Sequence, residues 1–150
     1  MSQTLRVWTA FEVVIDGKAI AGGHRSKPQE VTVDDPYIDV TKAIAVTTTW
    51  DAWGFSTEEA FSSFDFLWIE SSLDGVLVEL TTDKGDEVGN ESFVIELKAD
   101  KPFFLFSDTG WANYTADFAA GTADLVDRVR IRNPSASTVA NVRFALFKAA

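Results

Sequence analysis

The sequence has no cysteine and a single histidine, His24. The first absence removes disulfides, thiolate metal sites and cysteine nucleophiles together. The second removes the metal centres of double-stranded β-helix enzymes, which need two or three histidines. A Ser-His-Asp triad would have to use His24, which stands in the Gly-rich stretch AGGHRS with no Gly-x-Ser-x-Gly elbow anywhere. A solvated loop histidine is the expectation, and with no phosphate-binding glycine loop either, neither an enzyme nor a cofactor is expected. No apolar run approaches the roughly 20 residues that span a bilayer, so no membrane partner is expected. The N-terminal stretch alternates and carries Glu12 and Asp16, unlike the uninterrupted apolar region of a signal peptide, and export by that route is not expected.

One further absence is local. From Arg128 to Ala150 there is no Asp or Glu, while five basic side chains occur: Arg128, Arg130, Arg132, Arg143 and Lys148. The chain as a whole has net charge −10. All 23 acidic groups and eight of the 13 basic ones precede residue 128, so a body near −15 meets a tail near +5. Such an acidic balance argues against a nucleic-acid partner, which needs a broad basic footprint.

What is present reads as β structure. At 150 residues and 46% hydrophobic composition, the chain can bury about 70% of its extended surface as one domain over 1–150. The dominant periodicity is two. Residues 5–15 read as one long strand, ended by a turn at Asp16-Gly17. Residues 17–36 read as a loop with a short strand at 30–33, and strands follow at 38–40 and 43–49. The pattern breaks over 50–63, where residues 56–59 allow one helical turn at most. Residues 64–72 and 76–82 read as a hairpin about Asp74-Gly75, and 93–98 and 103–107 as two further strands. The stretch 108–124 reads as a long loop. At the end, 125–132 and 138–148 read as a closing hairpin about Asn133-Pro134. These segments predict an all-β chain: an antiparallel β-sandwich, jelly-roll-like.

On the closing hairpin Val129 and Ile131 alternate with Arg128, Arg130 and Arg132, and Arg143 is expected nearby across the turn. Arginines two apart on one face repel unless carboxylates cover them. Glu70, Glu79 or Glu96 on neighbouring strands are candidates; the acidic body of a second copy, or another acidic partner, is the other reading, and Arg suits such interfaces. Aromatic residues supply a second candidate surface. Trp50, Trp53 and Phe55 fall in one irregular stretch, and Trp111, Tyr114 and Phe118 in the other. They can plug the ends of the sandwich, anchor a protein interface, or stack sugar rings. The adjacent acids Asp34-Asp35 and Glu58-Glu59 read as solvated turns, and the polar run 83–91 as a strand connection, with calcium binding the less favoured reading.

From about Leu73 onward the chain resembles a family. SSLDGVLVELTTD, KADKPFFLF, VRIRNPS and ANVRFALF succeed one another in the manner of small all-β structural proteins of tailed-bacteriophage virions, the head-decoration or cement type. The resemblance implies a non-enzymatic protein that binds a capsid or other virion protein, and often further copies of itself as a homo-oligomer, located in the virion after assembly in the host cytoplasm. It transfers no site residue. A carbohydrate-binding β-sandwich module is the alternative.

Overall fold

A computed structural model describes residues 3–8, 10–15, 18–23, 29–33, 37–55, 64–82, 92–106, 112–113 and 124–148. Every regular element among them is a strand. The expected helical turn at 56–59, His24, Asp34-Asp35, the run 83–91, Trp111, Tyr114 and Phe118 lie outside the described residues.

The chain divides into two compact units, Met1–Asp35 with Ala149–Ala150, and Pro36–Lys148. In the first, β1 (Gln3–Val7) pairs with β4 (Gln29–Val33), and β2 (Ala10–Ile15) with β3 (Lys18–Gly23). Two corrections follow. The single strand expected over 5–15 is two strands with different partners. Lys18–Gly23, expected as loop, is a strand whose Lys18 sits opposite Ile15; the turn expected at Asp16-Gly17 lies outside the described residues. Its sequence, KAIAGG, has a single β-branched residue, and pairing rather than propensity makes it a strand.

The second unit holds β5 (Ile38–Ile44), β6 (Thr49–Trp53), β7 (Phe66–Ser71), β8 (Leu77–Thr82), β9 (Ser92–Glu96), β10 (Phe103–Phe106), β11 (Ala112–Asn113), β12 (Asp124–Arg132) and β13 (Ala140–Phe147). One sheet has the order β10-β7-β13-β5, the other β9-β8-β12 with β6 and the short β11 sharing the far edge of β12. All pairs are antiparallel. Setting β11 aside, eight strands in chain order run first–eighth–third–sixth in one sheet and second–seventh–fourth–fifth in the other. That is a jelly roll, and the all-β sandwich reading stands.

Side chains from the two sheets meet between them. Leu67, Ile69, Val142, Phe144 and Leu146 come from one sheet and Val78, Leu80, Val129 and Ile131 from the other, all fully buried. Alternation along each strand creates this: in β13 the pattern ANVRFALF buries Ala140, Val142, Phe144 and Leu146 and exposes Asn141 and Arg143.

The connections correct the sequence reading more sharply. β7 and β8 are not a hairpin, and neither are β12 and β13; each pair belongs to two different sheets, joined by an arch across the core. The arches lock one another. Asn133, fully buried, donates its side-chain amide to Ile44 O at 3.0 Å and Thr138 O at 2.8 Å, and its Oδ1 accepts from Ser135 N at 3.0 Å. Its backbone N donates to Thr48 O at 3.0 Å, tying arch 133–139 to arch 45–48. Arch 72–76 meets turn 97–102 in the same way: Gly75 N donates to Leu97 O at 3.0 Å, and Asp74 Oδ1 accepts from Ala99 N at 2.7 Å. Gly75 stands at φ +81, where a side chain is disfavoured.

Candidate functional site

The outer face of the β6-β12-β8-β9 sheet carries the arginines. β12 turns Val129 and Ile131 inward, fully buried, and Arg128, Arg130 and Arg132 outward. A bulge at Asp127 re-phases the strand, because Val126 pairs with Thr82 and Arg128 already with Thr81. Val126 therefore points into the core although its number is even like those of the arginines.

Three rows cross the face. Arg128 lies beside Thr81 and then Ser92; Arg130 beside Glu79 and then Val94, with Asp51 on its other side; Arg132 beside Leu77 and then Glu96, with Thr49 on its other side. Only the middle arginine is paired: Arg130 stands 3.3 Å from Asp51 and 3.7 Å from Glu79. Among the described residues Arg128 and Arg132 have no ion pair. Glu96, a candidate partner for the row, instead holds Lys98 at 2.8 Å. Arg128 and Arg132, four residues apart, stand about 13 Å from each other at strand rise.

Phe55, 37% exposed, presents its ring to the guanidinium carbons of Arg128 and Arg130 at 5.2 and 5.0 Å, within cation–π range. Two adjoining depressions open on this face, both bounded by Glu79 and Arg130. One of 230 Å³ extends to Arg132 and Val94, the other of 180 Å³ to Arg128, Phe55, Thr81 and Ser92.

The fourth arginine is elsewhere. Expected near the others across a hairpin, Arg143 lies on the outer face of the opposite sheet, since β12 and β13 do not pair. It forms a side-on pair with Asp39, Nε to Oδ1 at 3.1 Å and Nη2 to Oδ2 at 3.0 Å, and sits opposite Glu70 in register. Asp39's carboxyl is held below its ordinary value of 3.8 chiefly by these hydrogen bonds, against an opposing effect of burial, with the guanidinium charge adding a smaller push downward. The pair thus adds stability above that ordinary value, and the gain is lost as pH falls through the lower folded-state value. Both side chains reach water, 54% and 35% exposed, which limits the gain to about 1 kcal/mol or less. Asp39→Asn should therefore lower the urea midpoint at about pH 6 and leave it unchanged at about pH 2. An equal loss at both pH values would mean that the charge contributes nothing.

Of the three readings open to the loop aromatics, Trp50 and Trp53 take the first, as plugs, and not that of surface anchors. Trp53 is 2% exposed and packs edge-to-face on Phe64 with centroids 5.5 Å apart. Trp50 is half-buried, packed edge-to-face on Phe144 at 5.7 Å with Lys42 over its ring at 5.0 Å. Both plug the sandwich, because the register between β6 and β12 slips by one residue at Ala52 and turns both indoles inward. A sugar platform built on them is thereby removed. Asp51, Thr81 and Ser92 went unmarked in the sequence; their relation to the arginines is set by cross-strand register, which sequence spacing does not carry.

Among the described residues no three His, Asp or Glu side chains come together as a metal site would require. Comparison of the chain with protein-family models, with curated proteins and with solved structures finds no match.

Proposed function

We propose that this chain is a non-enzymatic structural protein that docks on acidic protein surfaces through the outer face of its β6-β12-β8-β9 sheet. The observation that carries this reading is the row of Arg128, Arg130 and Arg132, of which only the middle member is neutralised by neighbours among the described residues. Like charges on one face repel, and an acidic partner relieves that repulsion. The acidic body of a second copy, near −15 over residues 1–127, is the first such partner. A protein shell built from repeated copies, as in the virions of the family that the C-terminal half resembles, is a setting that uses contacts of this kind.

Light scattering of the full chain tests it. Self-association is expected at low salt and its loss near 1 M, where the screening length falls to about 3 Å. Arg128→Glu with Arg132→Glu should remove the association while leaving the melting temperature close to wild type, because among the described residues neither arginine has an ion pair to lose. A wild-type monomer at both salts rules out the homo-oligomer. Association that survives the double variant places the contact on another face.

A further inference from the structure

β9 is the outermost strand of its sheet, paired with β8 on one side and, among the described residues, with nothing on the other. Leu97, the residue after it, directs both backbone groups to the β8 side: its N donates to Val76 O at 2.8 Å, and its O accepts from Gly75 N at 3.0 Å. Backbone direction alternates along an antiparallel ladder. Ile95 and Phe93 therefore face β8 as well, while Ser92, Val94 and Glu96 turn their N–H and C=O groups outward. An edge of this kind is ordinarily blunted by an internal lysine, a proline or a bulge. β9 has none of these. It reads SFVIE, with no charge before its last residue, and its register with β8 is unbroken from Ser92 to Glu96. The edges of the opposite sheet differ: β5 carries Asp39 and Lys42, and β10 follows directly on Lys101-Pro102. Phe93 and Val94, on opposite faces of β9, are 48% and 58% exposed.

We infer that this edge is completed by the β9 of a second copy, paired antiparallel about a two-fold axis at Val94. Val94 then lies opposite its own counterpart, Ser92 opposite Glu96, and Phe93 opposite Ile95. The N–H groups of Ser92, Val94 and Glu96 in each copy find carbonyl acceptors on the other. Any other centre leaves one of the three beyond the end of the partner strand. The charges fit that orientation. Asp86, Glu87 and Glu91 precede β9 in the sequence, and Lys98 and Lys101 follow it with Asp100 between. Antiparallel pairing runs the acidic end of one strand toward the basic end of the other, whereas parallel pairing sets like beside like. Within the strand pair Glu96 meets the uncharged Ser92, so no like charges stand opposite each other. Phe93 and Val94 gain apolar neighbours and leave water. The contact uses the edge and not the arginine face, and stands independently of the docking reading. Five paired residues bury less than the about 800 Å² per partner of a standard interface, so the pair is weak in dilute solution and forms as concentration rises.

The test is sedimentation of the full-length chain in about 1 M salt, where charge-driven contacts are screened to about 3 Å and backbone pairing is not. A monomer–dimer equilibrium is expected, with a Kd between about 0.1 and 1 mM. Amide hydrogen exchange locates the contact: the Val94 N–H should slow as the dimer fills, while the Phe93 N–H, already directed to β8, stays as it was. Val94→Pro removes that donor where β8 does not use it and should weaken dimerisation at least about tenfold. Val94→Cys covers the case of a poorly folded proline variant. In this cysteine-free chain it should cross-link under mild oxidation faster than Val139→Cys, an exposed position elsewhere, because the paired Cα atoms stand about 5.5 Å apart, within disulfide reach. A monomer at about 1 mM, a dimer whose Val94 N–H exchanges as in the monomer, or equal cross-linking at both positions overturns the inference. So do species that grow beyond a dimer, since a closed two-fold pair leaves no β9 edge free. The two readings fail separately. Arg128→Glu with Arg132→Glu should keep this dimer, and its loss there would place the contact on the arginine face. Salt-sensitive association in dilute solution without this dimer leaves docking and removes the edge pairing; the dimer without that association does the reverse.

Discussion

Replacing Asn133 with alanine is expected to destabilise the sandwich by about 3 kcal/mol, several times the effect of a typical surface substitution. The side chain is fully buried and makes three hydrogen bonds, to Ile44 O, Thr138 O and Ser135 N. Truncation leaves two carbonyls facing a void, and each unsatisfied buried acceptor costs about 1–3 kcal/mol. Asn133→Asp keeps the shape but turns a carboxylate toward the same two carbonyls. Its loss should be at least as large at neutral pH and should shrink in acid, where the protonated form regains one donor. Urea unfolding of the three proteins measures both. A loss under about 0.5 kcal/mol for the alanine variant would mean that water replaces the amide and that the arches do not depend on it.

Phe144→Ala is expected to cost about 4 kcal/mol, in the range for a buried phenylalanine removed from a well-packed core. Phe144 is fully buried on an interior strand, faces the opposite sheet and packs edge-to-face with Trp50. No small shift closes that space, because β5 and β7 hold β13 on both sides. Phe144→Leu keeps most of the volume and should cost about 1.5 kcal/mol or less. Trp50 emission reports the same event locally and should move to the red in the alanine variant. A cost below about 2 kcal/mol would show that the core at this level is loose enough to collapse.

The strands of the second unit were largely legible in the sequence because alternation is a local property. Val129 and Ile131 against Arg128, Arg130 and Arg132 announce one buried and one wet face, whichever strands lie beside them. How strands are joined was not legible. A short turn such as Asp74-Gly75 serves a hairpin and an arch equally. Alternation is the same when two apolar faces lie side by side in one sheet or face each other across the core. The expected convergence of Arg143 with the other three failed for that reason. Which of their three readings Trp50 and Trp53 would take, plug, anchor or platform, was not legible for another. Three residues apart, they do not share a face in a regular strand, and only the slip at Ala52 turns both inward. The acid partners divide likewise: Glu79 was foreseeable as an outward residue of a neighbouring strand, whereas Asp51 depends on β6 running along β12, a long-range pairing.

β12 and β13 are interior strands, one in each sheet: β12 separates β6 from β8, and β13 separates β5 from β7. During synthesis, therefore, neither sheet can be completed until residues 124–147 have emerged, and Ile38 waits for Leu146 as its partner. Pairings this distant in sequence slow folding, which for such topologies takes milliseconds to seconds. Through that interval the nascent chain shows unpaired apolar strands, the condition in which neighbours aggregate. The portion already made, residues 1–123, carries a charge near −13 and the portion still to come near +3. Emerging chains accordingly repel one another while their strands are open, and the attractive residues arrive together with the strands that close the fold.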